Sequence, residues 1–528
     1  MSEPLRCVPD DAIIVGWDYS TSAVKALAFT LDGGVAARSW FKNDVWTDYQ
    51  RRGKGKHFED AGNREINLMQ LEGQARASTR DLAAKLRDAD RLDHWLAAGI
   101  SATHHTAGLI DSNHNPVRRA ICWDDQTLAA FHKEGLKRLG GPRAVRKLIG
   151  GPWAVRYSLS HLVKDQASLT EKDWARVKWM MGHGPLAAGY LTGRFGVTSI
   201  SSAASTGILN LKTDAWQPGM LAAAGDETVQ QRLAAILPHV LPTFDPIGPL
   251  AEHVALDAGI AAIRRPLVFP TLDDQAAGLV GGGATQPGEL AIILGTSAVV
   301  NSSSDKAPAQ DNLDAMKLGW DGAYLWMRCY SNGAGFVDTV EPLAKRIEVE
   351  GEASERVPPG ANGTTVLPFL RSEPSLKVKK PRVEWTNEST DPAVRVRAAY
   401  EAIAYLIALG VRAHVEAGQN VSRIAVSGGL AQSRLMCEIL ASVLASVLEP
   451  KPISLVRLES DEGSALGAAV LALAGLESTR RAEQGITEPY TIRDAVAKLV
   501  RPKDEIAARP EWVAPYAQGL ANFLQKTQ

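Results

Sequence analysis

Two adjacent carboxylates, Asp273 and Asp274, precede Gln275-Ala276-Ala277 and a run of small residues, so they fall where a helix is predicted to begin. A carboxylate at a helix N-terminus is held in its charged form by the dipole and the free N–H groups, which suits a general base. Either aspartate could equally be the N-cap of that helix. A second chemistry lies in three turns of small residues. Ser20-Thr21-Ser22, Gly295-Thr296-Ser297 and Gly428-Gly429 can each converge backbone N–H groups on an anion, with hydroxyls as extra donors. Any one of them alone also fits an ordinary hairpin or cap. Asp18, just before the first turn, is a hard oxygen ligand suited to Mg²⁺ held mainly through water. Lys25, just after it, fits a phosphate contact or an exposed strand edge equally well.

Other signatures are missing. Gly-Lys pairs occur only at Gly53-Lys54 and Gly55-Lys56, outside any Gly-x-x-x-x-Gly-Lys-Ser/Thr loop. There is no His-Glu-x-x-His, and Gly295-Thr296-Ser297-Ala298-Val299 lacks the second glycine of a nucleophile elbow.

The elements that must carry these residues can be read from the apolar pattern. Ile13 to Asp18 reads as a buried strand, Val24 to Thr30 as its return, and Val35 to Phe41 as a third strand after the turn Asp32-Gly33-Gly34. Helical periodicity runs from Leu68 to Leu96, and a strand follows over Ala97 to Ser101. The pattern restarts near Arg265: strand Pro266 to Pro270, the Asp273-Asp274 helix start, strand Glu289 to Leu294, the Gly295 turn and a return strand over Ala298 to Asn301. A long helix starts at Asp391-Pro392 and ends near Gly418. Strand Ile424 to Ser427 then leads into the glycine turn and helix Ser433 to Leu448, and Glu462 to Ala474 is a small-residue helix. Segments 351–364 and 371–390 read as polar loops. Alternating strands and helices give an α/β class, and the repeated strand, hydroxyl turn, strand unit suggests two related domains, 1–260 and 261–528.

Composition bounds the rest. The 528 residues are 45% hydrophobic and 22% charged with net charge −1, so no global field draws nucleic acid or an anionic membrane. The basic stretch Arg51 to Lys56 reads as a solvated loop. Cys7, Cys122, Cys329 and Cys437 lie far apart without a Cys-x-x-Cys pair, which fits a reducing compartment rather than a disulfide or zinc framework. The first residues lack an apolar signal core, and the longest apolar run, Ala465 to Leu476, is shorter than a membrane span. A soluble cytoplasmic protein is expected.

The order of motifs resembles the FGGY family of carbohydrate kinases, within the actin-like ATPase superfamily, across residues 12–475. Gly16-x-Asp18-x-Ser20-Thr21-x-x-x-Lys25 is similar to its first phosphate motif. Ser101-Ala102-Thr103-His104-His105-Thr106, ending at Ile110-Asp111, is similar to the Ser-Gly-Gln-Met-His-Gly … Leu-Asp motif of its xylulokinase-like members. Ala120-Ile121-Cys122-Trp123-Asp124-Asp125 follows. Asp274-Gln275-Ala276-Ala277 resembles the catalytic motif, and Pro287-Gly288 with Leu294-Gly295-Thr296-Ser297 the second phosphate motif. Ser427-Gly428-Gly429-Leu430-Ala431-Gln432-Ser433 resembles the adenosine motif and Glu462 to Ala469 the closing helix. The departures gather on the sugar side: Thr103 stands for Gln, His104 for Met, Thr127 for an Arg, and Ser202-Ala203-Ala204-Ser205 for Ser-Asp-Ala-Ser.

The resemblance implies two actin-like ATPase (ribonuclease H-like) domains facing an interdomain cleft. It also implies transfer of the γ-phosphate of ATP, with Mg²⁺, to a terminal hydroxyl of a ketopentose, D-xylulose first. Asp274 is then the base, with Asp18, His104, His105 and Gln275 beside it on the substrate. Asp18 would also hold the metal. Ser20, Thr21, Ser22, Lys25, Gly295, Thr296, Ser297, Gly428, Gly429, Leu430 and Ser433 would meet the nucleotide. Trp17, Trp123 and Trp326 could face the sugar, although core filling suits at least two of them better. Ribulose, erythritol or another polyol is the alternative acceptor, and a non-catalytic ATP- and sugar-binding regulator is the alternative of another class. No nucleic-acid or membrane partner is expected; the oligomeric state stays open, a homodimer being one expectation.

Overall fold

A computed structural model of the protein describes residues 7–47, 62–310, 312–448 and 453–527; the basic stretch Arg51 to Lys56 lies outside them. The chain divides into two compact units. The first gathers residues up to 281 with 315–324 and 464–500, and the second gathers 282–314, 325–463 and 501–528. Asp274, which a division at 260/261 assigns to the second half, therefore packs with the first. The strand just before it, Leu272–Asp273, is hydrogen-bonded into the first unit's sheet.

That sheet is built on β1 (Ile13–Tyr19), buried along its whole length. β2 (Ala23–Thr30) and β3 (Val35–Lys42) continue it as an antiparallel meander. Helix α1 (Gln70–Asp88) lays Leu71, Ala75, Leu82 and Leu86 in the core, at the spacing of one helical face. Trp17 Nε1 donates to Ser78 Oγ of this helix at 3.1 Å, so the indole is a core side chain. β4 (Trp95–Ala102) runs parallel to β1, with Asp18 opposite Ser101. The short strands β5 (Leu267–Val268) and β6 (Leu272–Asp273) both pair in parallel with β4. α2 (Asp274–Gly281) leaves directly from β6.

The second unit repeats the scheme. β7 (Glu289–Leu294) and β8 (Ala298–Ser304) form an antiparallel hairpin through the Gly295-Thr296-Ser297 turn, and β9 (Tyr324–Tyr330) follows on its far side. Helix α3 (Leu343–Glu355) runs into the start of the first segment expected to be a loop, and strand β11 (Arg382–Thr386) lies within the second, paired with β10 (Thr365–Phe369) between the two. β11 escapes a pattern reading because its alternation, Val383 and Trp385 between polar residues, spans only five residues and the strand is largely exposed. α4 (Pro392–Glu416) carries its first-turn proline and an Asp391 cap that accepts from Ala393 N–H. β12 (Arg423–Ser427) lies parallel to β7, as β4 does to β1. α5 (Arg434–Ala445) and β13 (Leu455–Leu458) follow, and strand Pro502–Ile506 ends the sheet.

Helix α6 (Gly463–Glu483) returns the chain to the first unit. Its small residues are a packing requirement. A Cβ at Gly16 of β1 would lie 2.7 Å from the Ala465 carbonyl carbon, and one at Gly99 of β4 the same distance from that of Ala468. Backbone meets backbone here, and only glycine permits it. Among the described residues no helix is long and apolar enough to cross a membrane, and the four cysteines are free thiols.

Candidate active site

The two adjacent aspartates have different fates. Asp273 ends β6 as a buried cap: its Oδ1 accepts the N–H groups of Gln275 (3.0 Å) and Ala276 (2.8 Å), and its Oδ2 accepts the Ser201 hydroxyl (3.1 Å). Burial raises its pKa above the ordinary carboxylate value. Asp274 is the first residue of α2, with a side chain 24% exposed and a backbone carbonyl that accepts from Ser464 Oγ at 3.2 Å. The expectation that Asp273 caps the helix agrees with this geometry. Gln275 is half-buried beside it.

Opposite them, the turn after β4 is tied down at both ends. Thr103 N–H donates to Tyr19 O at 3.0 Å, Thr103 Oγ1 lies 3.4 Å from Thr21 Oγ1, and His183 N–H donates to Thr106 O. Between them His105 has a left-handed backbone (φ 61°), a conformation that costs a non-glycine residue energy and is seldom kept without a local reason. Its Nδ1–H donates to Ser205 O (2.6 Å), its carbonyl accepts from Ser158 Oγ (2.9 Å), and its ring stacks on Tyr157 at 4.3 Å. Burial and the neighbouring His104 hold its pKa well below the imidazole range, so it is neutral. His104 Nδ1 is hydrogen-bonded to Asp274 Oδ1. His104, rather than His105, is thus the histidine that touches Asp274.

Thr103, His104, His105, His183, Ser202 and Asp273 line a cavity of about 20 Å³, room for about one water and too small for a sugar. His104, Asp273 and Asp274 bring ligand atoms within 4.8 Å of one another, a spacing that would suit a cation. The Asp273 oxygens, however, are already taken by the α2 cap and Ser201. The cluster is a helix cap beside an aspartate–histidine pair.

Around the first turn, Asp18 Oδ1 accepts from Ser101 Oγ at 3.0 Å, and Asp18 faces Lys25 across the β1–β2 ladder. A nearly buried carboxylate with one oxygen held by a hydroxyl fits a cation bound through water. Ser20 departs from its expected role: its hydroxyl closes the hairpin on Ala23, donating to the carbonyl at 2.9 Å and accepting the N–H at 3.2 Å. Thr21 is half-buried at the turn and Ser22 exposed.

In the second unit Thr296 is exposed at the tip of its turn. Gly428 has φ 93°, and a Cβ there would lie 2.7 Å from Leu294 O; at Gly429 a Cβ would meet nothing within 4 Å. One glycine lets β12 turn against β7, and the next leaves its backbone open to a ligand. Two members of this motif are corrected. Leu430 is buried in the core, so only its backbone can face a nucleotide. Ser433 caps α5, accepting from Met436 N–H (3.0 Å) and donating to Glu350 (2.7 Å). Trp326, with its Nε1 on Lys306 O, is also core, whereas Trp123 is half-buried.

One cation escaped the sequence reading. Lys164 donates to Thr127 Oγ1 (2.7 Å) and Asp125 (3.1 Å), supplying charge where Thr127 stands for an arginine. It comes from a helix 37 residues further along, so no local motif contains it.

The FGGY family of carbohydrate kinases matches residues 13–281 with its N-terminal domain and 290–476 with its C-terminal domain. The chain belongs to this family. It is a sugar kinase of α/β fold, with a small-molecule sugar as substrate and ATP as the phosphoryl donor that the family uses. It is 26% identical to the xylulose kinase of Streptomyces rubiginosus over 95% of this chain and 97% of that one. It is 24% identical to the gluconokinase of Bacillus licheniformis over 97% and 96%. Among solved structures, the xylulose kinase of Rhodospirillum rubrum superposes with a TM-score of 0.78 at 19% identity, covering 97% of this chain and 98% of that one.

Proposed function

We propose that this kinase phosphorylates D-xylulose, a ketopentose, at its terminal hydroxyl, with Asp274 as general base. The observation that carries the reading is the division of labour between the aspartates: Asp273 has both oxygens committed inside the fold, and Asp274, one residue on, is accessible at a helix N-terminus. The attacking hydroxyl must lose a proton as it bonds to the γ-phosphorus, and a carboxylate there can accept it. Gln275 and the turn around His105 are suited to hold the sugar, Thr21 and Thr296 the phosphates, and Gly428-Gly429 the nucleotide. Asp18 would hold Mg²⁺ through water; when bound, that ion neutralises phosphate charge. D-Xylulose is favoured over other acceptors by the xylulose kinases among the relatives and by the ungapped spacing from Ser101 to Asp111. The free cysteines accord with the cytoplasm as its compartment.

The test is sugar-dependent ADP release. Asp274→Asn is expected to lower kcat with D-xylulose by ~10²–10⁴ while nucleotide binding persists. Asp273→Asn, which keeps an oxygen for the α2 cap, is expected to cost far less. The reverse order of effects would refute the assignment.

A further inference from the structure

His104 is held from one side by packing and from the other by a single polar contact. Its ring meets His105 edge to face, with centroids 4.0 Å apart at 68°. His105 cannot yield, because it is stacked on Tyr157 and pinned through Nδ1–H to Ser205 O and through its carbonyl to Ser158. Tyr157, His105 and His104 thus form a column whose far end is fixed in the fold of the first unit. The near end is Asp274: a carboxylate only accepts, so the His104 nitrogen facing Oδ1 is Nδ1–H as donor. His104 is buried, and its Nε2 has no hydrogen-bond partner among the described residues. Among the described residues no other polar contact therefore competes to orient this ring.

Asp274 has no comparable restraint of its own. It begins α2 with its side chain partly in solvent, and the cap of that helix is made by Asp273 instead. A base that must meet one hydroxyl along one line needs its rotamer set from outside.

We infer that His104 is a positioning residue for Asp274: it engages Oδ1 and so presents Oδ2 to the acceptor hydroxyl. This rests on the reading of Asp274 as the base. In the step itself, Oδ2 takes the hydroxyl proton as the sugar oxygen bonds to the γ-phosphorus and the bond from that phosphorus to the bridging oxygen of ADP breaks. ADP leaves with that electron pair, and His104 exchanges no proton.

Two substitutions separate this role from simple space filling. Asn places an N–H near the position of Nδ1, whereas Gln reaches instead toward the position of Nε2. His104→Asn is expected to keep kcat within about threefold of the parent, and His104→Gln to lower it by about tenfold or more, with KM for ATP unchanged in both. The deciding measurement is the double-mutant cycle with Asp274→Asn, read as sugar-dependent ADP release and checked by thermal unfolding. If His104 acts through Asp274, His104→Gln costs nothing further in the Asp274→Asn background. Equal fold losses in both backgrounds, or equal effects of Asn and Gln, would overturn the inference and leave Asp274 as base untouched. Full activity of Asp274→Asn alone would instead remove the reading on which it rests.

Discussion

Gly467 lies in α6, four residues on from Gly463, and faces α2. A Cβ there would overlap the Ala277 carbonyl oxygen and stand 2.7 Å from the Ala277 carbonyl carbon. Reaching the 3.4 Å of ordinary contact moves that carbon by about 0.7 Å, and the oxygen further. Ala277 is three residues beyond Asp274 in the same short helix, so the push is transmitted to Asp274. Overpacking of this kind costs ~1–3 kcal/mol or more, against ~1 kcal/mol gained by replacing a mid-helix glycine with alanine. A displacement approaching 1 Å at a reacting group can lower turnover by ~10²-fold. Gly467→Ala is therefore expected to lower Tm and to cut kcat by ~10–10². Gly351→Ala is the control, because this glycine lies within α3 and a Cβ there meets nothing within 4 Å. It is expected to gain ~0.5–1 kcal/mol with kcat unchanged. Scanning calorimetry and steady-state kinetics on both variants decide the matter. A Gly467→Ala enzyme as stable and as active as the parent would refute the close contact of α6 with α2.

Gly428→Ala forces alanine to φ 93° against Leu294 O and is expected to raise KM for ATP several-fold; unchanged ATP kinetics would remove the nucleotide from this turn. His183 is held neutral by burial, with its pKa lowered from 6.5 to about 4, so between these values the unfolded chain binds a proton that the folded one refuses. Its contribution is complete above about pH 6.5 and is lost as pH falls toward 4, by up to ~3 kcal/mol. Denaturant titrations at about pH 7.5 and about pH 5 are expected to show a smaller acid loss for His183→Gln than for the parent, and equal losses would contradict the assignment.

Much of this was legible in the sequence, and the misses have physical causes. The β1–β2 and β7–β8 hairpins, the start of α4 and the beginning of α2 follow from apolar runs and local turn chemistry, which act within a few residues. Motif order pointed to Asp274 rather than Asp273 as the candidate base, and the cap made by Asp273 is local. What stayed hidden depends on distant partners. Asp274 belongs to the first unit because β6 pairs with β4, 171 residues earlier in register at Leu272 and Ser101. Lys164 reaches Thr127 from another helix, and α3 and β11 draw their stability from packing on α4 and pairing with β10. The role of His104 depended on which of two adjacent rings the left-handed residue His105 turns toward Asp274, which no spacing rule encodes.

Phosphorylation of a ketopentose is tested most directly by kcat/KM from coupled ADP release across D-xylulose, D-ribulose, gluconate, erythritol and glycerol. D-Xylulose is expected to exceed each of the others by about tenfold or more, as a site paired to substrate hydroxyls allows. A tenfold preference for gluconate, glycerol or erythritol would contradict the assigned substrate. ADP release that does not depend on any sugar would contradict the proposed reaction itself.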